Sequence, residues 1–150
     1  MGFDMHKDLP LLNIFNIDYS SVVIKNQFEK FKDQFNHEKL RFEVMDMMEL
    51  SYENEKFDFV IDKATMDVLM TSRKDPWNPS EELIAQSLKL LKGNILRVLK
   101  PNGKFIQISW EQPHFRKMYL LHEEVKDLWE YELQKIEKGL EYFMYILTKK

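Results

Sequence analysis

The 150-residue chain contains no cysteine. That excludes disulfides and thiolate metal sites, and makes a reducing, cytoplasmic setting the natural expectation. It has no excess of basic charge either: 22 Lys and Arg against 25 Asp and Glu leave a net −3, so no electropositive field points to nucleic acid as a partner. No apolar run approaches the roughly 18 residues that a membrane-spanning helix needs. The start, Met1-Gly2-Phe3-Asp4-Met5-His6, lacks the basic-then-apolar form of a secretory signal. Gly2 invites a myristoylation reading, but position six is His where that signal takes Ser or Thr. Only four glycines occur, and no repeat, low-complexity stretch or linker interrupts the chain. A hydrophobic fraction of 44% is ordinary for a globular protein, and this length supports one core. The expectation is a single domain over residues 1–150.

What is present is a series of short apolar strands, each delivering a carboxylate at its C-terminal edge. Asn13-Ile14-Phe15-Asn16-Ile17 runs into Asp18, Leu40-Arg41-Phe42-Glu43-Val44-Met45 into Asp46, and Phe57-Asp58-Phe59-Val60-Ile61 into Asp62. Open α/β sheets bind ligands at that edge. Phe57 to Ile61 is nearly continuously apolar, which predicts a parallel strand buried on both faces. A nucleotide-binding sheet normally begins with a strand and a glycine-rich turn, and nothing in positions 1–12 resembles one.

Between these strands lie helices. Ser20 or Ser21 can cap a helix whose apolar face runs Ile24, Phe28, Phe31, Phe35. A second helix is expected from Asn78 as N-cap, with Pro79 in its first position and Glu81 as the capping-box partner. Ile84, Leu88, Leu91, Ile95 and Val98 then keep helical spacing. Gly93 inside this run costs about 1 kcal/mol against alanine and predicts a bend or close packing. Pro101-Asn102-Gly103 is expected to turn, proline presetting φ and glycine supplying the positive φ. The turn launches a strand from Lys104 to Ser109, and a strand-helix-strand crossover argues for a parallel sheet. Trp129 to Ile136 alternates, Glu137-Lys138-Gly139 turns the chain, and Leu140 to Leu147 is rich in aromatic and β-branched residues. That predicts an antiparallel hairpin, with helix the rival over 123–136.

A mostly parallel sheet closed by a C-terminal antiparallel hairpin resembles the class I methyltransferases that use S-adenosylmethionine. Asn16-Ile17-Asp18-Tyr19-Ser20, Asp46-Met47 and Phe57-Asp58-Phe59-Val60-Ile61-Asp62-Lys63-Ala64-Thr65-Met66-Asp67 are similar to three successive motifs of one subgroup. That subgroup is the lysine methyltransferases related to those acting on translation elongation factor 1-alpha, marked by a DKGTLD-like sequence. Asp75-Pro76-Trp77 and Gln112-Pro113-His114-Phe115-Arg116 resemble it too. Two departures stand out. Family members carry Gly where Ala64 stands, and they open with a strand and an E-x-G-x-G motif around the methionine part of the cofactor. The resemblance therefore implies a Rossmann-like α/β fold, truncated at its first strand, with Met1 to Leu12 as the remains of the first helix.

The resemblance also implies roles. Asp18, with Tyr19 beside it, would accept hydrogen bonds from the ribose hydroxyls of S-adenosylmethionine, although a turn aspartate or helix cap is the simpler use. Asp46 would accept from the adenine amine while Met47 packs on the ring, against a plain strand-end turn. Asp62 and Lys63 would border the methyl donor and the substrate channel, against a surface ion pair; Lys63 with Asp67 four residues on is another. Trp77, Trp110, His114, Phe115 and Arg116 are expected in loops above the sheet edge. Methyl transfer to lysine needs a deprotonated amine in an apolar or aromatic channel, and His114 can accept a proton near neutral pH. Arg116 pairing with Glu111 is the simpler alternative. The methionines read as core filler, and neither metal-ligand spacing nor a nucleophile–base set is found.

Three function classes follow. The first is direct transfer from S-adenosylmethionine to a lysine of a protein such as translation elongation factor 1-alpha. The second is a methyltransferase-like module without catalysis that binds a protein, motivated by the missing glycine loop, whose lost hydrogen bonds would cost several kcal/mol of cofactor affinity. The third, a nicotinamide-dependent oxidoreductase, needs its own glycine fingerprint and does not explain the hairpin. The missing strand would lie between those ending at Asp18 and Asp62, so unpaired edges and reduced stability are expected.

Overall fold

A computed structural model describes residues 1–10, 12–71, 75–138 and 140–150, leaving aside the side chains of residues 3, 137, 138 and 140. Contacts gather into two compact units, Met1–Ser51 and Tyr52–Lys150, and each is taken by itself.

The first unit is helix, strand, helix, strand: α1 (Gly2–Asp8), β1 (Ile14–Asp18), α2 (Ser21–Phe31) and β2 (Leu40–Val44). β1 and β2 pair in parallel from Ile14↔Leu40 to Asp18↔Val44. Ser20 is the cap of α2, its Oγ accepting from Val23 N at 3.4 Å. The stripe expected to run through Phe35 outlasts the helix, which ends at Phe31. Phe35 instead turns back edge-on to Phe28 at 6.2 Å and packs on Phe42 of β2 at 5.5 Å. No α2 residue is fully buried. Gly2 lies so close to Asn16 of β1 that the amide side chain occupies the space a Cβ would take, which brings α1 tightly onto the strand.

The second unit holds a four-stranded sheet ordered β3-β4-β6-β5. Its strands are β3 (Phe57–Lys63), β4 (Leu99–Ser109), β5 (Trp129–Lys138) and β6 (Leu140–Lys149). β3 runs parallel to β4, while β6 runs antiparallel to β4 and β5. The hairpin expectation holds from Trp129↔Lys149 to Lys138↔Leu140; the rival helix is confined to a 3-10 turn, Lys126–Leu128. Of the expected Glu137-Lys138-Gly139 turn, Gly139 lies outside the described residues. The mixed α/β architecture with a C-terminal antiparallel hairpin is as expected, although the described pairings are two parallel and two antiparallel, not mostly parallel.

Three local expectations are corrected. β3 is not buried on both faces: none of its seven residues is buried and Phe59 is 57% exposed. An apolar run marks a strand but does not say what covers it, and among the described strands β3 pairs with β4 alone. Helix α4 (Glu81–Leu88) takes Ser80 as N-cap, not Asn78, the Oγ accepting from Leu83 N at 3.3 Å. Pro79 thus precedes the cap, and Glu81 opens the helix where its charge meets the positive end of the dipole. Pro101-Asn102-Gly103 is not a turn ahead of the strand but an irregularity inside β4, where the register jumps from Phe57↔Leu99 to Phe59↔Lys104, and the positive φ belongs to Asn102 (62°). Gly103 is needed for space, since a Cβ there would meet the Lys100 carbonyl oxygen at 2.8 Å.

The bend expected at Gly93 takes the form of a π-helical segment, Lys89–Ile95, which continues α4 into α5 (Leu96–Val98). Asn94 Nδ2 donates to the Lys89 carbonyl at 3.2 Å, anchoring the wider turn. The segment presents Leu90, Leu91 and Ile95, and α5 presents Leu96 and Val98, to a core that also holds Phe105, Leu120, Trp129, Tyr145 and Leu147.

Candidate functional site

In the first unit, β1 and β2 end side by side and bring two expected site residues to one edge. Asp18 closes β1, and its carbonyl accepts from Met45 N at 3.0 Å. Its Oδ1 accepts from Ser20 N at 2.8 Å, tying the strand end to the cap of α2. Asp46 repeats the device one strand over, Oδ1 accepting from Met48 N at 2.8 Å. Each carboxylate is thereby fixed through one oxygen, while among the described residues the other carries no hydrogen bond. Tyr19 is 80% exposed and Met47 half-buried. Two oriented carboxylates with a free oxygen each, beside a thioether, form an acceptor set for a ligand with hydroxyl and amino donors and a flat apolar face.

In the second unit Asp62 is more fully engaged. Oδ1 accepts from Thr65 N at 2.7 Å, and Oδ2 from Met66 N and Gln107 Nε2, both at 3.0 Å. It caps α3 (Thr65–Met70) from across the turn. That turn passes through Ala64 with φ 65°, the left-handed region that favours glycine. Lys63 is exposed, and the Lys63–Asp67 pair does not form.

Asp67 instead points inward. Its Oδ1 accepts from Ser109 Oγ at 2.7 Å and from Arg116 Nη2, and Arg116 is completely buried. The Arg116–Glu111 pairing is therefore corrected to Arg116–Asp67. Burial pushes the Asp67 carboxyl above its usual range, against the Ser109 hydrogen bond and the Arg116 charge, which lower it. Removing one member of a buried pair costs roughly 3–5 kcal/mol, because the partner stays charged and dry. Tyr145 Oη donates to the Glu111 carbonyl at 2.6 Å and closes the network.

His114, Phe115 and Arg116 were expected in loops; they lie on α6 (Pro113–Leu120). Proline at the first helical position starts that helix, which turns Arg116 inward and leaves His114 exposed. His114 stacks with Trp77 at 5.3 Å and 23°, and Phe115 meets Trp77 edge-on at 4.9 Å. Trp110 is 62% exposed. Sequence reasoning missed Gln107 and Ser109. Their signal was two polar residues at alternate positions in the Phe105–Ser109 stretch, whose other residues are apolar, both on the buried face. Among the described residues no His, Asp and Glu group is placed to hold a metal ion, and no helix is long and apolar enough to cross a membrane.

Comparison with known proteins fits this geometry. A protein-family profile described as "Methyltransferase domain" matches residues 1–149. The chain is 30% identical over 138 residues to EEF1A lysine methyltransferase 4 of Bos taurus, covering 91% of this chain and 51% of that protein. It is 31% identical over 115 residues to the eEF1A lysine and N-terminal methyltransferase of Mus musculus, covering 77% of this chain and 15% of that one. The chain thus spans about half the length of the first relative. Among solved structures, a SAM-dependent methyltransferase from Methanosarcina mazei aligns with TM-score 0.58 at 19% identity, covering 91% of this chain and 81% of that one. The geranyl diphosphate C-methyltransferase of Streptomyces coelicolor, in complex with S-adenosyl-L-homocysteine, gives 0.62 at 11% identity over 98% and 66%. These neighbours share the Rossmann-like class I fold, and the chain belongs to the methyltransferase domain family.

Proposed function

We propose that this chain binds S-adenosylmethionine and serves a protein-lysine N-methyltransferase whose substrate is a translation elongation factor of the 1-alpha type. The observation that carries the reading is the pair of half-satisfied carboxylates at the end of β1 and β2. Their chemistry fits the adenosyl part of the cofactor. Asp18, through Oδ2, would accept from ribose hydroxyls and Asp46 from the adenine amine, and Met47 would supply an apolar surface for the ring, with Tyr19 exposed next to Asp18 in the chain. The names of the relatives support the lysine and elongation factor parts of the reading.

When bound, S-adenosylmethionine supplies a methyl group on a sulfonium, open to direct attack by a neutral amine. The chain's own task is to present that amine. His114, exposed and without a hydrogen bond among the described residues, takes the proton from the lysine ammonium. Asp62 holds the β3–α3 turn through both its oxygens, so its contribution is to fix that turn and the Lys63 backbone within it. The same engagement favours a second reading, a methyltransferase-like protein-binding module without catalysis, because a carboxylate so fully occupied has little left for a reactant.

Calorimetric titration with S-adenosylmethionine and S-adenosylhomocysteine tests the proposal. Micromolar binding is expected, weakened about tenfold or more in D18A, since a hydrogen bond to a charged acceptor contributes about 1.5–3 kcal/mol. Absence of binding at millimolar ligand would overturn the cofactor reading and leave the module.

A further inference from the structure

Trp77 is 71% exposed, although burying so large a ring is one of the stronger stabilising contacts a chain can make. Its exposure is not that of a floppy side chain. The indole stacks on His114 at 5.3 Å and takes Phe115 edge-on at 4.9 Å, and His114 and Phe115 touch at 3.9 Å. Two of the three rings stand on α6, anchored one residue further on by buried Arg116 and its bond to Asp67. The result is a preformed platform of three rings.

Beside the platform lies a hollow of about 920 Å³ lined by Val68, Asp75, Asn78, Glu81, Glu82 and Leu83, among others. Asp75 and Asn78 flank Trp77 in the chain, and Trp77 N donates to Asp75 Oδ1 at 2.9 Å. Glu81 and Glu82 sit in the first turn of α4 and carry no ion pair among the described residues. Among the described residues the lining contains three carboxylates and no Lys or Arg; Arg73 and Lys74 lie outside them. An apolar partner would have to strip water from those carboxylates. A second copy would bring the same three negative charges, on a chain of net −3, against them. Cations suit both parts: ammonium or guanidinium groups bind over aromatic faces and are attracted by the neighbouring carboxylates.

We propose that the Trp77–His114–Phe115 platform and the adjoining acidic hollow are the docking surface for a basic segment of a protein partner. Lysine and arginine heads lie over the rings and before Glu81 and Glu82. This rests on the proposed function only for the identity of the partner as the methylated protein; the docking itself needs no cofactor.

The test uses the 150-residue chain and a short Lys-Gly repeat peptide, followed by calorimetric titration, with a Glu-Gly repeat of equal length as control. Binding of the Lys peptide alone is expected, weakening as salt rises. W77A should weaken it about three- to fivefold, the range of an exposed cation–π contact. E81Q/E82Q should weaken it too and flatten its salt dependence, while S-adenosylhomocysteine titration stays unchanged in both variants. Equal binding of the two peptides, or wild-type binding by both variants, would overturn the proposal, as would sedimentation showing a dimer that W77A dissolves. Peptide binding without any cofactor binding would sink the proposed function and leave this surface standing.

Discussion

Ala64 shows how a single backbone angle can be legible in an amino-acid sequence. The resemblance marked it as the place where relatives carry glycine, and the chain passes through it at φ 65°. A Cβ in that region costs roughly 1–2 kcal/mol, partly offset because alanine leaves the unfolded chain less freedom to lose. A64G is therefore expected to raise the unfolding free energy by about 0.5 kcal/mol, read from the urea midpoint at unchanged m. Tyr145 illustrates the opposite case, a residue whose part no local pattern announced. It sits fully buried, donating to the Glu111 carbonyl, and burial raises its phenol above the ordinary range. The folded chain then holds a proton that the unfolded chain releases near pH 10. Its contribution to stability is complete below that pH and is lost as pH climbs toward the raised folded value. Wild-type stability should fall steeply above pH 10. Y145F should start about 1 kcal/mol lower for the lost hydrogen bond and fall less steeply; equal slopes would contradict this.

At the scale of elements, strands and the hairpin were legible because alternation and bounding turns are local signals. What failed was whatever depended on neighbours. The Phe57–Ile61 run marked a strand, but its exposure was decided by which strands pair with it. Asn78 and Pro79 made a plausible helix start, but Ser80, two residues nearer the first buried leucine than Asn78, took the cap. Carboxylates at strand ends were legible for the same reason as the strands, whereas the Asp67–Ser109–Arg116 cluster joins residues 42 and 49 positions apart and no spacing rule reaches that far. Gly93 lies between these cases. The sequence placed a defect there, and the structure makes it a π-helical turn with Gly93 exposed and nothing within 4 Å of where a Cβ would stand. Asn94 and the buried leucines therefore hold the wide turn, not glycine. G93A is expected to keep it and gain about 0.5–1 kcal/mol from reduced unfolded-chain entropy. A loss on thermal melting would show that glycine itself is needed.

Across the whole molecule, burial is distributed very unevenly between the two units. Of the buried hydrophobic side chains among the described residues, only Leu40 belongs to residues 1–51, while the rest lie in Tyr52–Lys150. Local opening free energy follows the apolar surface a segment buries, so β1 and β2 should open far more readily than β4 and β6. Native-state hydrogen exchange is expected to show amides of β4 and β6 protected up to the global limit. Those of Ile14–Asp18 and Leu40–Val44 should exchange on the order of a hundredfold faster, a gap of about 2.7 kcal/mol. The same unit carries Asp18 and Asp46. A ligand that binds only the closed form stabilises it by about 2.7 kcal/mol at a hundredfold excess over its dissociation constant, enough to bring the two sets of amides level. Saturating S-adenosylhomocysteine should therefore slow exchange in β1 and β2 selectively and leave β4 and β6 nearly unchanged. Uniform slowing would place the binding energy elsewhere in the fold. No slowing at saturating ligand would mean that the two carboxylates serve the strand ends alone.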